Sequence, residues 1–141
     1  MSTPPDNKGF TPHSRSSPYL DVIGPLLSRR IDGRLEFALE IDERHVNGRG
    51  AVHGGVLAGF ADVALGYATS GSVDPPLHLS TANLNLDFAG AAKQGSTVIA
   101  VVDVMRVGRR LAFANCDLWC EERRVARASA VFANSTPDQA G

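Results

Sequence analysis

The sequence predicts an α+β domain: a curved antiparallel β-sheet wrapped around one long central helix. Between Val56 and Ser70 an apolar run holds a single charge, Asp62, and Val56, Leu57, Phe60, Val63, Ala64 and Tyr67 recur at three- and four-residue spacings. That is the period of a helix buried on most sides. After it, segments of alternating or β-branched residues follow one another, separated by turn residues. Hairpin, buried helix, then a run of antiparallel strands is the order of an α+β domain.

At 141 residues the chain is expected to form one domain over 17–133. The Pro-, Ser- and Thr-rich residues 1–16 and the polar residues 134–141 read as flexible tails, with His13 solvated. Ser17 and Pro18 open a short helix to Ile23, ended by Gly24-Pro25, and Leu26 to Ile31 is a short strand. Asp32-Gly33 is a tight-turn dipeptide. Leu35, Phe37, Leu39 and Ile41 then alternate with Arg34, Glu36, Ala38 and Glu40, the pattern of a half-buried strand. Asp42 to Val46 is a polar connection, with His45 at the surface, as His78 is in the loop after the helix. In Leu79 to Phe88, Leu84, Leu86 and Phe88 share one face; Thr81, Asn83, Asn85 and Asp87 share the other. Ser96 to Val107, Leu111 to Trp119 and Val125 to Phe132 are the remaining strands, with Gly108-Arg109-Arg110 and Glu121 to Arg124 at their turns.

Composition excludes several functions. The net charge is -1 with both signs interspersed, which argues against a nucleic-acid partner or a membrane surface. No apolar run has the length of a membrane span, and Met1 to Thr11 is too polar for a signal peptide, so the cytoplasm is the expected location. Cys116 and Cys120 lie four residues apart in a strand, about 13 Å. They are beyond disulfide reach and read as packing residues. No Cys/His cluster has metal-site spacing, so no metal is expected.

Chemistry concentrates in the central stretch. A carboxylate on an apolar helix is costly unless it is paired, which singles out Asp62. His53-Gly54-Gly55 lies at the start of the helix, where free N–H groups and a partial positive charge can meet a developing oxyanion. Asp62 is about two turns further on, roughly 10 Å from that start. A neighbouring subunit therefore has to bring the other half of any site that uses both.

The combination Asn47-x5-His53-Gly54-Gly55-x6-Asp62, continued by Thr81-x-Asn83-Leu84-x-Leu86-x-Phe88, Lys93-x-Gly95 and Gly108-Arg109, resembles the PaaI-like hotdog-fold acyl-CoA thioesterases across residues 20–133. The resemblance implies a hotdog fold and a homodimer or homotetramer with sites at the subunit interface. It implies hydrolysis of an acyl-CoA thioester, with coenzyme A as part of the substrate and no separate cofactor. Asp62 would be general base or nucleophile, and Asn47 would orient the water or the carboxylate. Gly54 and Gly55 would be oxyanion donors, and His53 would support their loop and polarise the carbonyl. Thr81 would place the water, with Ser80 as the alternative hydroxyl. Phe88, Gly90, Lys93, Val107, Gly108, Arg109 and Arg110 would hold CoA. The chain departs from the family at Ala91, where a proline is common. Leu57, Phe60, Ala61 and Tyr67 would line the acyl pocket. The alternatives are a hotdog dehydratase or hydratase acting on acyl thioesters, and a non-catalytic acyl-CoA-binding module.

Overall fold

In the computed structural model, which describes residues 3–137, the strands form one antiparallel sheet. They are β1 (Thr11–Pro12), β2 (Leu27–Ile31), β3 (Arg34–Glu40), β4 (Leu79–Phe88), β5 (Thr97–Val107), β6 (Leu111–Cys120) and β7 (Arg123–Asn134). Their order across the sheet is β1-β2-β3-β5-β6-β7-β4. Helix α1 (Pro18–Ile23) precedes β2, and the long helix α2 (Gly54–Ser70) crosses the sheet between β3 and β4. This is the hotdog arrangement that the resemblance implies.

Local chemistry explains the joints. The Ser17 side chain accepts the Leu20 N–H and caps α1, with Pro18 at its first turn. Asp32 and Gly33 both take positive φ, 50° and 79°, as a two-residue hairpin turn demands. Leu57, Phe60, Ala61, Ala64, Leu65 and Ala68 bury one side of α2. Opposite them the inner faces of β6 and β7 are rich in alanine, at 112, 114, 126, 128 and 130, all buried. Small residues there let the bulky side chains of the helix interdigitate with the sheet at native density.

Several expectations are corrected. Part of the segment read as a flexible tail docks on the sheet. Thr11–Pro12 pairs with β2, Asp6 bonds Arg29 at 2.8 Å, and the Arg29 guanidinium lies 4.1 Å from the Phe10 ring centroid. This segment covers the outer face of β2 and β3, so Glu36 and Ala38, placed in solvent by alternation, are buried. Glu36 Oε1 accepts two bonds from Arg29, at 2.9 and 2.7 Å, which satisfies the buried charges. His13 is half-buried, its ring centroid 5.2 Å from that of Phe37 and 4.8 Å from that of Tyr67. His45 is buried rather than at the surface; its Nδ1 accepts the Asp42 N–H at 2.9 Å, closing a turn of 3-10 helix. At the C-terminus, residues 138–141 of the second expected tail lie outside the described residues, while Thr136 Oγ1 accepts the His78 N–H at 2.8 Å.

The strand register also corrects the face assigned to Thr81. Thr81 pairs with Phe132 and Asn83 with Val131, so Ala82 is an extra residue in a β-bulge. The bulge reverses the alternation. Leu84 and Leu86 face the helix as expected, but so does Thr81, on the other side of the extra residue.

Candidate active site

The site residues fall into three groups along the molecule. The first surrounds the start of α2. His53 is the N-cap, and its Nδ1 accepts the Gly55 N–H at 3.0 Å. One of the two expected oxyanion donors is therefore engaged, while the Gly54 N–H has no partner among the described residues. Asn47 Oδ1 accepts the N–H groups of Arg49 and Ala51, at 2.9 and 3.3 Å, and so closes its own glycine-rich loop. That loop is tied to the segment after β4: Val52 donates to Ala92 at 2.7 Å, and Ala51 bridges Lys93. Phe88, exposed at the end of β4, lies against Gly54: a Cβ there would sit 3.6 Å from its ring. Gly90 turns the chain between them, with its N–H on Val125 O at 3.1 Å.

The second group is the carboxylate. Asp62 lies on the side of α2 turned away from the buried stripe, half-buried, and the Thr81 hydroxyl donates to its Oδ1 at 2.7 Å. Between the Thr81 and Ser80 alternatives, the bulge gives the contact to Thr81. Oδ2 has no partner among the described residues. Asp62 is in the wall of a cleft of about 290 Å³ between α2, β4 and the α1 segment. Val63, Gly66, Tyr67, Leu77, Leu79 and Phe132 form its apolar lining. This corrects the expected acyl pocket: Leu57, Phe60 and Ala61 point into the core, and Tyr67 alone of the expected four lines the cleft.

The third group is remote from the first. Gly108 N–H donates to Leu111 O at 2.8 Å, and Asn134 Nδ2 donates to Gly108 O at 3.0 Å. Val107 to Arg110 thus lie beside Asn134, whose β4 partner is Leu79. Phe88 is at the other end of β4, nine residues away, about 30 Å. One chain therefore brings Phe88, Gly90, Lys93, His53, Gly54 and Gly55 together, and Asp62 with Thr81. It does not bring Arg109 or Arg110 to the helix start. Arg15, Leu77 and Phe132 were missed as cleft residues because nothing local marks them; only long-range packing brings them there.

A thiol nucleophile does not fit. Both cysteines are free and buried, and burial, reinforced by Asp117, pushes the Cys116 thiol up to about 12.

The family model of the Thioesterase superfamily matches residues 49–127. The chain belongs to the thioesterase superfamily. It is 47% identical over 126 residues to a provisionally named esterase of Pseudomonas aeruginosa, covering 89% of this chain and 94% of that one. It is 28% identical over 90 residues to human acyl-coenzyme A thioesterase 13, covering 61% of each chain. Among solved structures, the PaaI protein of E. coli superposes with a TM-score of 0.74 over 84% of each chain, at 20% identity, a likeness of fold. Its fold is thus the hotdog fold of the PaaI protein, and its family the thioesterase superfamily. The family match takes in the Gly54-Gly55 helix start, Asp62 and Thr81, while Asn47 lies just outside it. Among the described residues no helix of this family member is long and apolar enough to cross a membrane.

Proposed function

We propose that this protein hydrolyses an acyl-CoA thioester to the free acid and CoA. The observation that carries the reading is the Asp62–Thr81 pair in the wall of a cleft with an apolar side formed by Val63, Tyr67, Leu79 and Phe132. Thr81 holds Oδ1, and the free Oδ2 takes a proton from water as the water oxygen adds to the thioester carbonyl. The developing oxyanion is met by backbone N–H groups at a helix start, that of Gly54 first. Gly55 joins if His53 releases it. The C–S bond then breaks, and CoA leaves as the thiol with the proton that Asp62 took from the water. Asn47 acts in this scheme by shaping the donor loop. Phe88, Gly90 and Lys93 flank the donors and would hold the pantetheine, while Val107 to Arg110 would meet the nucleotide phosphates.

Because the donors and Asp62 are separated along α2, the scheme needs two copies of the chain. One gives the helix start with Phe88 and Lys93; the other gives Asp62, Thr81 and Arg109-Arg110. A symmetric dimer has two such composite sites. Hydration chemistry is less well supported, since the histidine near the donors, His53, is committed at Nδ1 to capping the helix. The test is free-thiol release from a panel of aromatic and aliphatic acyl-CoAs. Asp62→Asn, nearly isosteric, should keep the fold and lower kcat by about 100-fold or more. An unchanged kcat in the folded variant would remove Asp62 from the chemistry.

A further inference from the structure

Past Tyr67 the cleft runs on into a second hollow, of about 490 Å³, which shares Arg15, Tyr67 and Ser70 with it. The two parts differ in charge. The part around Asp62 holds that carboxylate together with Arg15; in the second hollow the charged side chains are Arg15 and Arg30, and no carboxylate lines it. Arg15 has no hydrogen-bond or ion-pair partner among the described residues. Arg30 gives one N–H to Gly33 O at 3.2 Å. His13 lines the same hollow. Its Nδ1 is bonded to Ser28 Oγ at 2.9 Å, and its Nε2 is shut from solvent without a partner. Buried ring nitrogens usually have partners, so this corner keeps spare polar capacity.

The geometry points to an anion-binding end of the acyl cleft, where Arg15 and Arg30 take the distal carboxylate of a dicarboxylic acyl thioester. The inference rests on the hydrolase reading above and adds its substrate class. Tyr67 and Ser70 lie five and eight residues beyond Asp62, about 7 and 12 Å along the helix axis. A chain of several methylenes spans that interval against Val63, Tyr67, Leu79 and Phe132. The polarity of the cleft sets the direction. Asp62 repels a carboxylate at the reacting end, and the two arginines attract it at the other, so the thioester is the end presented to Asp62.

The experiment compares kcat/KM for adipoyl-CoA and hexanoyl-CoA, which differ only in a terminal carboxylate in place of a methyl. Wild type should prefer adipoyl-CoA, and the preference should shrink with added salt. In Arg15→Gln/Arg30→Gln the adipoyl/hexanoyl ratio should fall about tenfold, the scale of one charge-assisted hydrogen bond. Arg15→Lys/Arg30→Lys keeps the charge and should keep most of the preference. A wild-type preference for hexanoyl-CoA, or a ratio indifferent to both the glutamines and salt, overturns the carboxylate subsite while leaving the hydrolase reading in place. Failure to release thiol from any acyl-CoA overturns the hydrolase reading, and the subsite with it.

Discussion

A site divided between two chains can be rebuilt from two dead variants. Gly54 and Asp62 are eight residues apart on α2, about 12 Å. One carbonyl needs an oxyanion donor and an activated water both within about 3 Å, so they cannot serve it from the same helix. Gly54→Pro removes the unpartnered donor. It is the first residue of α2, where proline is tolerated. His53, before it, already has the extended φ of -69° and ψ of 137° that a following proline requires. Losing one oxyanion donor should cost about 100- to 1000-fold in kcat, and Asp62→Asn about 100-fold. Each homodimer should therefore be almost inactive. When the two variants are unfolded together, mixed equally and refolded, about half the dimers are mixed, and each mixed dimer has one site with both lesions and one with neither. Thiol release should recover to about a quarter of wild type under this symmetric geometry. If the donor and the carboxylate acted within one chain, every site would keep a lesion. No recovery on mixing would refute the two-chain site.

Three further outcomes follow from the geometry. Glu36→Ala leaves Arg29, whose side chain is 5% exposed, without its buried partner; it should cost about 3 kcal/mol in a urea titration, and a loss near zero would show that Asp6 alone satisfies the guanidinium. Burial, with Arg15 nearby, holds the His13 ring below its usual value of 6.5. The unfolded chain then binds the proton more readily, so the stability due to the neutral ring is present above that value and is lost as pH falls below it through the lowered folded value; the fall in thermal midpoint between about pH 7 and pH 5 should be smaller in His13→Gln, and an equal fall would clear His13 of the effect. Arg109→Ala/Arg110→Ala should raise KM for acyl-CoA at low salt with kcat little changed, the mark of lost uniform binding; equal KM values would place the CoA phosphates elsewhere.

The sequence by itself determined what is written in short-range periods. The three- and four-residue spacing of Val56, Leu57, Phe60, Val63, Ala64 and Tyr67 specifies α2, and of these Leu57, Phe60 and Ala64 are on the side it buries. The alternation of Phe37 and Leu39 specifies β3, and Asp32-Gly33 its turn. The lone carboxylate at Asp62 and the histidine-glycine start of the helix were visible because a charge in an apolar run and glycines at a helix start are locally anomalous. What only the tertiary structure decided depends on partners far away in the chain. Thr81 reaches Asp62 because pairing with β7 forces an extra residue into β4, and a period-two pattern cannot register its own reversal. Glu36 is buried because residues 6–12 cover its face, a contact that alternation within β3 does not encode. The cleft draws Arg15, Tyr67, Leu77 and Phe132 from four separate segments. Its composition is set by how α1 and β4 close over α2, because burial depends on every element that packs there and not on the residue's own neighbours in sequence.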